Sequence, residues 1–131
     1  MARSLVTITE HYSFDFLITG YHVYREVWTP VIGEIMDCQR DKANKYDTHA
    51  TKIVREQCTV GHVPRDISKW ISYLLLSGCK ISVQIMGGQQ NRRNNVLEIP
   101  VMYIIKGPFY HVNVARIFIR DYLGRMKVQF K

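Results

Sequence analysis

The sequence predicts a mainly β fold of the α+β class, a small barrel or sandwich of short strands with a single convincing helix. Three observations point there. Apolar and polar residues alternate in several short runs, turn residues punctuate those runs, and only one stretch carries a clear 3.6-residue apolar period. With 131 residues, 47% of them hydrophobic and 22% charged, the chain has the size and composition of one folded domain. No internal repeat or linker interrupts it.

In order, residues 11–24 alternate at Tyr12, Phe14, Phe16 and Ile18 and then pause at Gly20, the pattern of a strand that bends. Residues 32–40 and 48–55 read as two further strands. The polar stretch between them, Arg-Asp-Lys-Ala-Asn-Lys-Tyr-Asp, reads as a loop in which Asn44 and Asp47 bond nearby backbone groups. Residues 59–63 are short and apolar around Gly61, which predicts a kinked strand. A helix follows, with Pro64 suited to its first turn, Ile67, Trp70, Ile71, Leu74 and Leu75 forming its apolar stripe, and Gly78 as its stop.

Ile81, Val83 and Ile85 alternate again before Gly87 and Gly88. The wholly polar residues 89–95 read as a loop carrying Arg92 and Arg93. Strand resumes over 96–105, with Pro100 marking an edge or a bulge. Gly107-Pro108 reads as a turn. Residues 109–119 and 127–130, separated by Tyr122-Leu123-Gly124, read as a C-terminal β extension over 108–131.

The formal net charge is +7, and its distribution is uneven. Residues 1–78 hold nine Lys/Arg and nine Asp/Glu, whereas residues 79–131 hold nine Lys/Arg against only Glu98 and Asp121. A basic half-chain is what neutralising phosphates requires; it is also what a merely solvated surface looks like. No apolar run reaches the length of a membrane span. The N-terminal residues meet Glu10, His11 and Asp15 before an export signal could form an apolar core. Three cysteines, Cys38, Cys58 and Cys79, an odd number without a CxxC pair, fit a reducing, intracellular compartment. The five scattered histidines suggest no metal site. A phosphate-binding glycine loop and a nucleophile elbow are both missing, and Asp37, Asp41 and Asp47 do not have the spacing of a metal cluster. A non-enzyme without cofactor is therefore expected.

Three blocks stand in order: Gly20-Tyr-His-Val-Tyr24, Gln39-Arg-Asp-Lys-Ala-Asn-Lys-Tyr-Asp-Thr-His-Ala50, and Val60-Gly-His-Val-Pro-Arg65 ahead of the helix. Together they resemble the HIRAN domain, whose pattern is Arg-Glu/Asp-x-x-Asn-x-Tyr-Asp-x-x-Ala followed by Val-Gly-Tyr/His-hydrophobic-Pro and a helix. The likeness runs over about residues 16–107. It implies a six-stranded barrel resembling an OB-fold, with one or two helices, and a module that binds the 3′ end of single-stranded DNA. It also implies nuclear work in DNA repair, with a helicase or nuclease as a possible partner in trans. Three positions depart from the pattern. Lys45 stands where the family often has Pro, His22-Val23 replaces a basic-aromatic pair, and the 89–95 loop lacks a phenylalanine that helicase-type members offer to a base.

Taken alone, Asn44-Lys45-Tyr46-Asp47 reads as an Asx turn whose tyrosine covers the core edge; within the resemblance, an ionised Asp47 is a strong acceptor for a terminal 3′-hydroxyl, and Tyr46 is a stacking platform for the terminal base. Tyr24 is a second platform, His62 either a core or a pocket-wall residue, and Arg40, Lys45, Arg65, Arg92 and Arg93 are candidate phosphate contacts. Two other readings stand beside this one: a protein-interaction module on the same scaffold, and a binder of RNA or of single strands in general.

Overall fold

The computed structural model describes residues 8–19, 31–87, 90–93 and 96–129, with side chains for 8–19, 31–87 and 98–126. Seven strands and two helices follow one another along them: β1 Thr9–Thr19, β2 Ile35–Arg40, β3 Thr51–Arg55, β4 Cys58–His62, α1 Arg65–Leu76, β5 Lys80–Ile85, β6 Gln90–Arg93, β7 Val96–Pro108 and α2 Phe109–Gln129. All pairings are antiparallel, in the order β1-β4-β3-β2-β5-β7-β6, and β1 also pairs with β7. That last pairing closes six strands into a ring, and β6 is appended to the start of β7. The mainly β, OB-like expectation of six strands with one or two helices is met by this ring.

Alternation decides which side chains enter it. Phe14 and Ile18 of β1, Met36 and Cys38 of β2, Ile81, Val83 and Ile85 of β5, and Ile99, Val101, Tyr103 and Ile105 of β7 are all buried. Phe14 and Tyr103 stack with centroids 4.9 Å apart, and the Tyr103 hydroxyl donates to the Leu17 carbonyl at 2.7 Å, so this buried phenol is satisfied. From α1, Ile67, Ile71 and Leu74 plug the ring, and the helix stops at Gly78 as the sequence predicts. Trp70 and Leu75 are only partly buried. Trp70 meets Tyr122 of α2 instead, at 5.6 Å between rings.

Three expectations are corrected. The C-terminal β extension is the 21-residue helix α2: its β-branched and aromatic residues mimic strand composition, but Val112, Ala115 and Ile119 are buried together with half-buried Tyr122 and Leu123, a helical stripe. Gly107-Pro108 is the end of β7, not a turn, and α2 begins at once. Gly107 is required by close approach, since a Cβ there would lie 2.9 Å from the Cys79 Cα. Part of the 89–95 stretch is strand β6, because β7 offers it an open edge. Pro100 lies on β7 where the neighbour on one side changes from β6 to β5. Its carbonyl faces that side and accepts the Met86 N–H at 3.0 Å, so its missing N–H falls in the break between those two strands.

Candidate functional site

One row of paired residues locates the site. Gln39, Lys52, His62, Thr19, Glu98 and Gln90 are successive partners across β2, β3, β4, β1, β7 and β6. To one side of this row lie the β2–β3 loop, the junction from β4 into α1, the end of β1, and the β6–β7 hairpin. Gly61 allows β4 to meet β1 there, because a Cβ would stand 3.0 Å from the Thr19 carbonyl oxygen.

The loop between β2 and β3 is held by its own side chains. The Asp41 N–H donates to the Ala50 carbonyl at 2.8 Å and closes it. Asn44 Oδ1 accepts the backbone N–H groups of Tyr46 at 2.9 Å and Asp47 at 3.0 Å, and Asp47 Oδ1 accepts that of His49 at 2.8 Å. Two successive Asx turns thus fix the segment. Tyr46 is turned outward, 93% exposed. The Asp47 side chain is 20% exposed, and its second oxygen, Oδ2, lies 3.9 Å from Nε of Arg65 at the start of α1. Tyr46, Asp47, His49, Arg65, Ser68 and Lys69 together line a cleft of about 270 Å³.

The other expected residues divide around this cleft. Lys45 is exposed on the loop beside Tyr46. His62 Nε2 lies 3.6 Å from Asp41 Oδ2, so His62 props the start of the loop rather than lining the cleft. Arg40 Nε donates to Ser72 Oγ at 3.2 Å and ties β2 to α1. Arg92 and Arg93 belong to β6, four strand spacings from β3 along the row, or about 19 Å; their side chains lie outside the described residues. His22, Val23 and Tyr24 lie outside the described residues altogether. The sequence reading missed His49 and Lys69. The signal for Lys69 was its spacing of four from Arg65 on the predicted helix, which puts both on one face.

What the arrangement offers is one carboxylate with a fixed orientation, two cations and a bare aromatic ring, all within a solvent-open cleft. Among the described residues no three His, Cys, Asp or Glu side chains gather to hold a metal ion. No helix of the described residues is long and apolar enough to cross a membrane. A larger cavity, about 700 Å³, opens between β1 and α2 against Tyr12, Phe16, Leu123 and Met126, away from the expected site residues.

A family model described as HIRAN domain matches residues 11–103. The fold is similar to the crystal structure of the HIRAN domain of human HLTF, at 20% identity and a TM-score of 0.66 over 84% of this chain and 88% of that one. It is also similar to the NMR structure of the HLTF HIRAN domain in its DNA-bound conformation, at 19% identity and a TM-score of 0.62 over 90% and 93%. A protein from Lactobacillus plantarum shares the fold at 17% identity and a TM-score of 0.52, over 73% and 97%. No curated protein matches the chain in a search by sequence.

Proposed function

Because the chain belongs to the HIRAN domain family, we propose that it is a non-catalytic nucleic-acid-binding module that captures single-stranded DNA at a free 3′ end. The observation that carries this reading is Asp47. One of its oxygens is engaged by its own loop at the His49 N–H, and the other faces the cleft between the exposed Tyr46 ring and Arg65. A terminal 3′-hydroxyl donates to that oxygen. At an internal nucleotide the same position is a phosphodiester, which lacks the donor and presses negative charge on the carboxylate. Repulsion therefore contributes to selectivity along with attraction. Tyr46 stacks on the terminal base, and Arg65 stands close enough to Asp47 to balance its charge and to meet a phosphate.

Arg92 and Arg93, at the far end of the row, then contact backbone upstream of the end. A similar domain of HLTF has a DNA-bound conformation, which supports DNA as the ligand class. On this reading the protein works in the nucleus in DNA repair, presenting an end to a helicase or nuclease acting in trans. A hydrogen bond to a charged acceptor is worth about 1.5–3 kcal/mol, which sets the expected preference at roughly ten- to a hundredfold. The test is binding to short single strands ending in a 3′-hydroxyl or a 3′-phosphate, and to circular single strands. Equal affinity for all three defeats end capture, and the same comparison with RNA ends separates DNA from RNA.

A further inference from the structure

We infer that Lys69 binds the phosphate joining the last two nucleotides of the captured strand, so that the ligand of the cleft is an end of at least two nucleotides and not a terminal nucleoside alone. This inference rests on the end-capture reading and adds a residue to it. Lys69 follows Arg65 by four positions on α1, which places the two cations one turn apart on one helix face, with about 5–6 Å between their Cβ atoms. Both line the cleft that holds Asp47.

Their electrostatic surroundings differ. Arg65 faces the Asp47 carboxylate at 3.9 Å. The acidic residue nearest Lys69 on its own helix is Asp66, three positions earlier, and Asp66 accepts the Tyr122 hydroxyl of α2. Among the described residues no carboxylate lies within ion-pair distance of the Lys69 ammonium. That ammonium lies instead 5.4 Å from the centre of the Trp70 ring, a cation–π contact that steadies the flexible stem without neutralising its charge.

A cation with no carboxylate partner among the described residues, beside a cleft walled by a carboxylate, attracts an anion that does not itself sit on the carboxylate. With the terminal hydroxyl on Asp47, the first anion the strand presents is the phosphate of its last internucleotide linkage. A nucleoside has no such group. Lys69 therefore supplies affinity that depends on the presence of a second nucleotide, while the choice between hydroxyl and phosphate ends stays with Asp47.

The test uses the whole chain and one short DNA strand with a free 3′-hydroxyl in three forms: all-phosphate, with a neutral methylphosphonate at the last linkage, or with the same group several linkages inward. Wild type is expected to lose affinity several-fold when the last linkage is neutral. Lys69→Gln is expected to bind the all-phosphate strand more weakly, to show a log–log salt slope shallower by about 0.7, and to be indifferent to the neutral last linkage. Lys69→Arg should restore both responses. Lys69 is exposed, and an unchanged melting curve verifies that its replacement leaves the fold intact. If Lys69→Gln still loses as much as wild type at the neutral last linkage while wild type prefers a 3′-hydroxyl, the Lys69 contact is wrong and end capture stands. If wild type shows no preference among 3′ ends, the premise fails and this inference goes with it.

Discussion

Asp47 and Tyr46 are neighbours in sequence, yet the loop gives them separate tasks that two substitutions can tell apart. Asp47 also helps hold the loop through the His49 N–H, so Asp47→Asn, which keeps an acceptor there, is the cleaner change beside Asp47→Ala. Both are expected to lose the preference for a 3′-hydroxyl over a 3′-phosphate while retaining salt-sensitive binding of single strands, as measured by fluorescence anisotropy titration. Tyr46→Ala removes an exposed ring and no core contact. It is expected to weaken hydroxyl and phosphate ends by the same factor, equivalent to about 1–3 kcal/mol, because stacking does not sense the terminal oxygen. If Tyr46→Ala changed the ratio of the two ends, the ring would be positioning the hydroxyl rather than the base. The role of Asn44 as shaper of the loop was legible from its residue type, and the structure bears it out. The closeness of Arg65 and Lys69 to Asp47 was not, since nothing local says that the start of α1 returns to the β2–β3 loop.

Among the elements, α1 is the one on which ring, cleft and second helix all depend. Its buried face fills the ring through Ile67, Ile71 and Leu74, one flank lines the cleft through Arg65, Ser68 and Lys69, and the other meets α2 through Trp70 and Tyr73. Ile71→Ala empties part of the ring interior and should cost about 2–5 kcal/mol. Trp70→Ala should cost less and act by loosening α2, because Trp70 is only half-buried and packs on Tyr122. Gly107→Ala tests the join between β7 and α2. The new methyl meets backbone at 2.9 Å as well as the Cys79 sulfur, so the strands must shift, at a cost of about 1–3 kcal/mol. Chemical denaturation of the three variants gives the ranking; an unchanged midpoint for Gly107→Ala would mean that the approach of Cys79 relaxes freely.

For the whole molecule, the buried ionisable groups set a limit on the alkaline side. Full burial holds the Cys38 thiol well above its usual range, with Asp37 adding to the effect, and burial likewise raises Cys79 and, strongly, the Tyr103 phenol. In each case the neutral form is the native one, and the folded value lies above the unfolded one. The stability they contribute is thus fully present below the unfolded values, about 8.5 for a thiol and 10 for a phenol, and declines as pH rises beyond them toward the folded values. The urea midpoint should therefore fall progressively above about pH 8.5, and Cys38→Ala should flatten the first part of that fall. A midpoint that stays level to strongly alkaline pH would contradict the burial of these groups.

Alternation of apolar residues, the single amphipathic stripe of α1 and the Asn-x-Tyr-Asp loop were determined by the sequence alone, because each depends on neighbours within a few positions of the chain. Strand ends were less legible: β2 and β3 start later than their alternation suggests, since pairing partners, not periodicity, decide where a strand begins. The tertiary structure decided the rest. The residues of α2 carry strand-like composition, and only the presence of β1, β7 and α1 to cover Val112, Ala115 and Ile119 makes the helical period the favourable one. Gln90–Arg93 is strand only because β7 extends past β5. The cleft itself joins a loop at residues 46–49 to a helix face at residues 65–69. That meeting exists because the β3–β4 hairpin pairs Lys52 with His62 and so brings the end of β4, and with it the start of α1, beside the start of β3, a register of pairing that alternation alone does not fix.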